Sequence, residues 1–251
     1  MKVAVVTGAS SGIGEAAARR LDADGWRLIL VARREERLQK LCSELGDASY
    51  VAVDLTDDDA PAKVRAAVGD ELHLLVNNAG SSKRAAFGDR EKGGYANVKR
   101  IMAINFDAVL RLTEELLPLL RDSAPSSIVN VASVAGRIAN ARGSAYSSSK
   151  FALIGWSEAL LHEEREHGVH VGMVLPGFIS TEGFPQEDIK ARKGMSWMVK
   201  TPDKVADAIV AAGPGGKAEV TVPKFPYRVL TSLRAVAPGL VLGLSEKVGR
   251  R

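Results

Sequence analysis

Cysteine is nearly absent from this chain of 251 residues, in which Cys42 is the only one. An intramolecular disulfide is therefore impossible, and the first residues show no basic-then-apolar signal segment. Both features predict a reducing, cytoplasmic setting. Cys42 lies in a segment with a helical pattern, and we expect a small buried residue there rather than a catalytic thiol.

Aromatic residues make up only 5% of the chain, and no basic stripe is interleaved with them. The net charge of +4 is concentrated in residues 223–251, where six Lys or Arg and a single acid, Glu246, give +5 and leave −1 elsewhere. A near-neutral body of this kind argues against a nucleic-acid-binding protein. With 46% hydrophobic residues, the chain suffices for one large core, and we expect a single domain.

Apolar runs long enough to span a membrane are also missing, and seven short runs recur instead. They cover residues 3–6, 28–31, 50–53, 72–76, 128–131, 169–175 and 220–222. Because they are continuous rather than alternating, most are typical of parallel strands buried on both faces. Helical patterns lie between them, at residues 13–23, 35–45, 58–68, 98–120, 144–166 and 202–212. This alternation predicts a doubly wound α/β sheet.

Glycine-rich or polar segments directly follow six of these runs. In chain order they are residues 8–14, 33–34, 54, 77–80, 133 and 176–177. In a doubly wound sheet, ligands bind beyond the carboxyl ends of the strands, where the strand order reverses. These segments therefore predict one binding cleft.

Tyr146 and Lys150 stand one helical turn apart in Tyr-Ser-Ser-Ser-Lys. The i, i+4 spacing puts both side chains on one helix face. A phenol titrates near pH 10, and a fixed ammonium beside it favours the phenolate and lowers its pKa. The alternative is a surface tyrosine near a solvated lysine, and only the context of the motif decides between the two.

The turn at residues 7–14 carries Gly8, Gly12 and Gly14 between a strand and a helix. Missing side chains there let the backbone approach a pyrophosphate, to which the helix N-terminus presents free N–H groups. The spacing departs from the common dinucleotide fingerprint, so an ordinary tight turn is the alternative.

Arg33 and Arg34 follow the second strand, where NAD-preferring proteins usually carry an acidic residue. An arginine fork suits a 2′-phosphate, which favours NADP(H). Alternatively, both arginines solvate a helix start and pair with Glu35 and Glu36. Asp54 is a candidate acceptor for the adenine amino group, or else a helix N-cap.

Together these segments resemble the short-chain dehydrogenase/reductase family, from Thr7 to about Val222. The matching elements are TGASSGIG at 7–14, Asp54, NNAG at 77–80, Asn105, Ser133, YSSSK at 146–150 and PGFIST at 176–181. The resemblance implies a Rossmann-like sheet of about seven strands, a nicotinamide cofactor and reversible hydride transfer between a carbonyl and an alcohol. It also implies a homo-oligomer formed through the long helices.

The resemblance further implies the role of each matching residue. Tyr146 would be the general acid or base, Ser133 would hydrogen-bond the substrate oxygen, Lys150 would bind the ribose and stabilise the tyrosinate, and Asn105 would hold a relay water. The cofactor would contact Gly8, Ser10, Ser11, Gly12, Ile13, Gly14, Arg33, Arg34, Asp54, Leu55, Asn78, Ala79, Gly80, Tyr146, Lys150, Pro176, Gly177, Ile179 and Thr181. Residues 78–80 could also serve only to fasten the central strands. No metal site is expected, because His162 and His167 are spaced one residue too far apart for a zinc motif.

Residues 178–200 contain Phe184, Met195, Trp197 and Met198 between a strand end and a helix start. We expect a mobile lid over an apolar substrate pocket, since long loops with apolar residues are often functional. Residues 134–145 would form the other wall.

A basic tail, residues 223–251, follows the last strand and is expected to lie outside the catalytic domain of residues 1–222. Its apolar residues recur at roughly helical spacing, at Val229, Leu233, Val236, Leu240, Leu244 and Val248. The pattern favours packing against the protein or a sister subunit, with peripheral membrane contact as the alternative.

The sequence thus predicts an NADP(H)-dependent enzyme that interconverts a carbonyl and a secondary alcohol on a small hydrophobic substrate. Two alternatives stand beside it. One is a 3-oxoacyl thioester reductase, and the other is a non-catalytic dinucleotide-sensing protein on the same fold.

Overall fold

Seven parallel strands form a single sheet in the computed structural model of the chain, which describes residues 1–83, 85–182, 186–187 and 196–249. The strands are β1 (Val3–Thr7), β2 (Arg27–Ala32), β3 (Ala48–Ala52), β4 (Leu74–Asn77), β5 (Ser126–Val131), β6 (Val169–Pro176) and β7 (Glu219–Val222). Their order is β3-β2-β1-β4-β5-β6-β7. The prediction of a doubly wound, Rossmann-like parallel sheet of seven strands is confirmed.

Nine α-helices are assigned among the described residues. They are α1 (Gly12–Ala23), α2 (Glu35–Glu44), α3 (Ala60–Val68), α4 (Gly94–Met102), α5 (Ala108–Asp122), α6 (Ser144–Glu163), α7 (Pro202–Ala212), α8 (Tyr227–Val236) and α9 (Pro238–Gly249). The single long helix expected at residues 98–120 is divided by a π-helical turn, Ala103–Asp107, which joins α4 to α5. Such turns are frequent at functional sites.

Both faces of the sheet are buried, because helices cover each of them. Alternate residues of each strand point to opposite faces. Ala4 and Val6 of β1 pack with α1, α2 and α7 in one hydrophobic cluster. Val3 and Val5 pack with α3, α5 and α6 in a second. This two-sided burial explains why the strands read as continuous apolar runs. Cys42 is half-buried against the first cluster rather than fully buried, and partial burial raises the pKa of its thiol.

The segment that follows β6 folds back on itself. Ile179 forms a parallel bridge with Lys200, and the main-chain N–H of Lys200 donates to the carbonyl oxygen of Phe178 at 2.9 Å. A third hydrophobic cluster lies beneath this segment and includes Met173, Leu175 and Tyr227. The described ends of residues 178–200 are thus tied to the carboxyl end of β6.

Candidate active site

A cleft of about 760 Å³ opens at the carboxyl ends of the strands, where the order reverses between β1 and β4. All of the residues that the sequence predicts for cofactor binding and catalysis line this cleft, except Gly14 and Asn105. The segments that follow six different strands therefore converge on one site, as their positions predict. The two exceptions lie behind the wall of the cleft and shape it.

The glycine-rich turn after β1 has a backbone that requires glycine. Gly8 and Gly12 have φ values of +68° and +59°, in the left-handed region. A Cβ atom on Gly14 would lie 2.2 Å from the carbonyl oxygen of Gly8, so the first turn of α1 packs tightly on the loop. The missing side chains leave a cradle at the N-terminus of α1, where free N–H groups favour an anion.

Arg34 crosses from the end of β2 to the glycine-rich turn. Its Nη2 lies 2.6 Å from Ser11 Oγ and 3.1 Å from Ser10 Oγ. Arg33 extends into solvent with its side chain 76% exposed and lies 3.4 Å from a carboxylate oxygen of Asp54. Their partners thus lie on other elements rather than at Glu35 and Glu36, whereas the exposed side chain of Arg33 agrees with the alternative that it solvates the start of α2.

Asp54 caps a turn of its own rather than a helix. Its Oδ1 accepts hydrogen bonds from the main-chain N–H of Thr56 at 3.0 Å and from the Thr56 hydroxyl at 2.8 Å. The Thr56 N–H, with help from the Thr56 hydroxyl and Arg33, lowers the pKa of the Asp54 carboxyl. The N-cap alternative is wrong, because α3 starts later, at Ala60. Oδ2 faces Arg33 at the rim of the cleft.

The segment after β4 does fasten the two central strands. Thr7 Oγ1 accepts from the main-chain N–H groups of Asn78 and Ala79, at 2.9 and 3.0 Å, and donates to the carbonyl oxygen of Val76. The Asn78 side chain returns a bond to the Thr7 carbonyl oxygen at 2.8 Å. Residues 78–80 still line the cleft, so the structural role leaves one face available to a ligand.

Tyr146 and Lys150 lie side by side in the cleft. The Lys150 Nζ atom is 5.9 Å from the centroid of the Tyr146 ring, and α6 carries both residues. Lys150 is buried, and its Nζ donates to the carbonyl oxygen of Val131, the last residue of β5, at 2.9 Å. Burial lowers the pKa of Lys150 to about 8. An ammonium in this position favours the phenolate form of the neighbouring phenol.

Ser133 holds its hydroxyl at the same end of the cleft. It lies two residues beyond β5, where its Oγ accepts from the main-chain N–H of Ala135 at 3.1 Å and lies 3.3 Å from the carbonyl oxygen of Pro176. The second contact is long for an O–H donor. The hydroxyl can therefore turn to a substrate oxygen at little cost.

Asn105 is fully buried in the π-helical turn between α4 and α5. Its Oδ1 accepts from the main-chain N–H of Ser81 at 2.8 Å, while its Nδ2 donates to the Ser81 carbonyl oxygen and to Ser149 Oγ. Ser149 in turn donates to the carbonyl oxygen of Tyr146 at 2.8 Å. Asn105 thus connects the loop after β4 to the helix that carries Tyr146.

A family model described as short chain dehydrogenase matches residues 2–191 of the chain. The chain belongs to this family. Protein FixR of Bradyrhizobium diazoefficiens is 38% identical over 221 residues, which are 83% of this chain and 78% of that protein. Fatty acyl-CoA reductase of Acinetobacter baylyi is 34% identical over 246 residues, 94% of this chain and 78% of that protein.

Among solved structures, actinorhodin polyketide ketoreductase with NADPH superposes on this short-chain dehydrogenase with a TM-score of 0.78. The two are 28% identical, and the match covers 88% of this chain and 95% of the ketoreductase. Members of the family are oxidoreductases, and so is this chain. The family and the cleft together indicate a nicotinamide dinucleotide as cofactor.

The residues of the cleft fit such a cofactor. The glycine cradle at the N-terminus of α1 suits a pyrophosphate. A Cβ atom on Gly12 would lie 3.1 Å from the side chain of Thr181, which lines the cleft, and one on Gly8 would lie 2.8 Å from Asn78 Nδ2. Exposed guanidinium groups stand at one end, and the buried Lys150 stands at the other. A cleft of about 760 Å³ lies within the range of cofactor sites.

Several cleft residues of this dehydrogenase carry no local sequence signal. Arg100 and Ile104 reach the cleft from α4 and the π-helical turn, and Gln186 reaches it from residues beyond Thr181. Glu182 forms an ion pair with Arg37 of α2, and its Oε1 lies 3.8 Å from a nitrogen of Arg34. Contacts between elements so far apart in the chain follow from the topology and not from any motif.

The predicted lid is described only in part. Trp197 is 46% exposed and stacks on Phe225 with ring centroids 5.8 Å apart, whereas Met198 packs half-buried against the third hydrophobic cluster. Phe184 and Met195 lie outside the described residues. Residues 134–136 form a short, buried 3-10 helix, and the second wall that the sequence places at residues 134–145 stays a prediction.

Proposed function

We propose that this short-chain dehydrogenase uses NADP(H) to interconvert a carbonyl group and a secondary alcohol on a hydrophobic substrate. The observation that carries the proposal is the pairing of Tyr146 and Lys150 inside the cleft, with Nζ 5.9 Å from the ring centroid. When bound, the nicotinamide supplies or accepts the hydride. The remaining tasks fall to side chains of the protein.

Tyr146 is the proton donor in reduction and the acceptor in oxidation. Lowering a tyrosine pKa by about 3 units requires about 4 kcal/mol of differential stabilisation. With its pKa lowered to about 8, Lys150 still carries its proton at pH 7. Its charge lies in a site with little water, where the attraction between ammonium and phenolate is less screened than in bulk solvent.

Ser133 orients the substrate, and Asn105 supports the proton path. The Ser133 hydroxyl donates to the substrate oxygen in place of its long contact with Pro176. Both Nδ2 protons of Asn105 are already donated to protein oxygens, so a relay water would bind the second lone pair of Oδ1 or the main chain of the π-helical turn.

The preference for NADP(H) rests on the two arginines at the end of β2. Arg34 is held by Ser10 and Ser11 at the cradle, and Arg33 extends beside it. Two guanidinium groups without an acidic residue at this position suit a 2′-phosphate. The similar actinorhodin ketoreductase was solved with NADPH.

A hydrophobic substrate is supported by apolar side chains at and beside the segment that follows β6. Ile179 lines the cleft and forms a bridge with Lys200, while the neighbouring Phe178 and Trp197 pack against Tyr227 and Phe225. Fatty acyl-CoA reductase and a polyketide ketoreductase are among the similar proteins. An acyl thioester with a 3-oxo group is therefore the second candidate substrate.

Replacing Tyr146 by Phe tests the proposal. We expect turnover of ketones and alcohols to fall at least about a hundredfold, since general acid–base catalysis contributes about 10²–10⁴. Binding of NADPH, followed by its fluorescence, should change little. Tyr95→Phe is the matched control, because it removes the same hydroxyl from an exposed ring.

Retained turnover in Tyr146→Phe would refute the assignment. A wild-type chain that binds NADPH tightly but reduces none of a panel of ketones, aldehydes and 3-oxoacyl thioesters would instead support a dinucleotide-sensing protein. The panel is followed by nicotinamide absorbance with NADPH and NADH in parallel.

Three further parts of the proposal concern where the enzyme acts and with what. We propose a cytoplasmic homo-oligomer assembled through α5 and α6, where Phe151 is 43% exposed. Light scattering of wild type and Phe151→Asp tests the assembly. The basic tail adds peripheral contact with a membrane.

A further inference from the structure

The apolar side of the tail is exposed to solvent. Phe225, Val229, Val236 and Leu240 have exposed fractions of 65%, 57%, 81% and 58%. Phe225 lies just before α8, Val229 and Val236 lie seven residues apart on one face of α8, and Leu240 lies on α9 beyond the break at Ala237. We call these four residues the apolar row. Tyr227 is buried beneath them and fixes α8 to the body of the protein. These four side chains are therefore available to another surface, whereas Leu233 is half-buried and Val241 is buried. That the tail packs against the protein or a sister subunit stays a prediction.

Basic side chains flank this apolar row. Lys224 and Arg228 are exposed, and each directly precedes one of its members in the chain. Neither forms an ion pair with any of the described residues. The whole tail from residue 223 carries six basic residues and one acidic residue. Exposed apolar side chains next to unpaired basic side chains favour binding to an interface that is both apolar and negatively charged.

The row begins next to the substrate end of the cleft. Tyr227 packs its ring against Gly177, where an added Cβ would lie 2.1 Å from the ring, and edge-on against Phe178. Phe225 stacks on Trp197 in the segment paired with Ile179, which lines the cleft. The exposed tail and the mouth of the cleft thus form one continuous surface.

We infer that this surface docks on a bilayer containing anionic phospholipid, with the mouth of the cleft facing the membrane. Among the described residues no helix is long and apolar enough to cross a membrane. In the inferred arrangement the tail lies in the plane of the interface, as amphipathic basic segments do. The second part of the inference rests on the proposed function. It is that the substrate is a membrane-resident amphiphile bearing a ketone or secondary alcohol, which enters the cleft directly from the lipid.

Charge favours a bilayer over a second copy of the chain as the occupant. A two-fold interface brings the same patch from both copies together, so the Lys224 and Arg228 side chains of both copies would share one interface. Like charges opposed in this way are costly. Anionic headgroups remove that repulsion and add attraction for each basic residue near the surface.

Flotation of the full-length protein with vesicles tests the docking. Wild type should float with phosphatidylcholine vesicles that contain phosphatidylglycerol and should bind pure phosphatidylcholine far less. Lys224→Glu/Arg228→Glu should lower the partition coefficient at least about twentyfold, since each basic residue contributes about fivefold. Phe225→Ser/Val229→Ser should lower it at least about tenfold, because both side chains lose burial in lipid.

Matched controls change other surfaces by the same amount. Lys40→Glu/Lys63→Glu makes the same change in net charge on α2 and α3, and Phe87→Ser removes an aromatic that is 62% exposed. These variants should float like wild type. Unfolding midpoints and NADPH binding confirm that every variant is folded.

Two outcomes would overturn the docking. One is equal flotation of wild type and both tail variants. The other is a loss of oligomer mass in the tail variants, measured by light scattering, without any loss of flotation, which would assign the surface to a sister subunit.

Substrate delivery is tested separately from docking and from catalysis. A long-chain ketone in anionic vesicles should be reduced at least about tenfold more slowly by Lys224→Glu/Arg228→Glu than by wild type, while a short water-soluble ketone is reduced equally by both. If neither ketone is reduced by wild type, the proposed function fails and docking can still stand. If the variant reduces both ketones as fast as wild type, delivery fails while the proposed function survives.

Discussion

The two ends of the cleft are built from opposite kinds of side chain. At the end that holds Tyr146, the polar residues Asn105, Ser133 and Lys150 are buried, and their partners are main-chain or hydroxyl groups. At the other end, Arg33 and Arg34 reach through solvent, and their partners are serine hydroxyls and exposed carboxylates. One end is part of the core, and the other is part of the surface.

The difference separates what the fold fixes from what it leaves adjustable. A buried ammonium is costly unless the surrounding structure satisfies it, so Lys150 and its partners act as a unit. Exposed guanidinium groups lose little free energy when they exchange one hydrogen-bond or ion-pair partner for another. Catalysis should therefore fail completely when the buried end is changed, whereas the exposed end should only alter the choice of cofactor.

The largest expected effect is the loss of turnover in Lys150→Met. Without the ammonium, the phenolate form of Tyr146 loses a charge that favours it, and we expect kcat to fall at least about a hundredfold, as for loss of a general acid. Stopped-flow reduction of a ketone measures it. Lys63→Met is the control, because Lys63 is an exposed lysine on α3. A loss of less than tenfold would show that the buried end is as tolerant as the exposed one.

The same lysine should leave a mark on stability. The pKa of Lys150 is about 8 in the folded protein and is taken as the reference value of 10.5 in the unfolded chain. Between these two pH values the unfolded chain therefore binds more protons than the folded protein. Stability of the cofactor-free protein should therefore rise with pH from 8 to 10.5, by up to about 3 kcal/mol from this group. Urea unfolding of wild type minus Lys150→Met isolates the contribution.

Other groups also titrate between pH 8 and 10.5, and subtracting the Lys150→Met values from the wild-type values cancels their contributions. Lys63→Met keeps the wild-type rise, since the hydrogen bond to Asp59 outweighs desolvation and raises the pKa of Lys63 above its reference value. Equal slopes in wild type and Lys150→Met would mean that the folded protein does not penalise the charge on Lys150. The contrast between the two ends of the cleft would then be lost.

The buried end of the cleft could be predicted well from the sequence, because buried strands and helices show a regular pattern of apolar residues. Continuous apolar runs identified the strands, and Ser133 and Lys150 were found from their places after β5 and on α6. The family resemblance supplied their roles, which stay predictions. The π-helical turn at Asn105 was missed, because nothing in its residue types distinguishes it from an α-helix.

The exposed end was harder to predict, because surface pairing depends on elements that the topology brings together. Arg34 bonds to Ser10 and Ser11 rather than to the neighbouring Glu35 or Glu36. Glu182 meets Arg37 across 145 positions of sequence. Similarly, the contact of Tyr227 with Gly177 depends on where β7 ends, and no motif records it.

A smaller effect is expected for cofactor choice. Arg34→Ala removes a charged hydrogen-bond donor, so kcat/KM for NADPH should fall about 10- to 100-fold, as for loss of about 1.5–3 kcal/mol. The value for NADH should stay within about threefold of wild type. Arg20→Ala, an exposed arginine paired with Asp24 on the far part of α1, is the control. An equal loss of kcat/KM with both cofactors would mean that Arg34 does not bind the 2′-phosphate.

The smallest effect is the response to salt, and it distinguishes the two ends without any mutation. The Debye length falls from about 30 Å at 0.01 M to about 8 Å at 0.15 M, which screens exposed charges and leaves buried ones nearly unchanged. KM for NADPH should therefore rise severalfold over this range, whereas KM for NADH and both kcat values should change little. Arg33→Ala/Arg34→Ala should remove the salt dependence of NADPH. A fall of kcat with salt as steep as that of NADPH binding would mean that ions reach the charge of Lys150 as easily as that of Arg33. The burial of Lys150 could then not be what prepares Tyr146 for proton transfer.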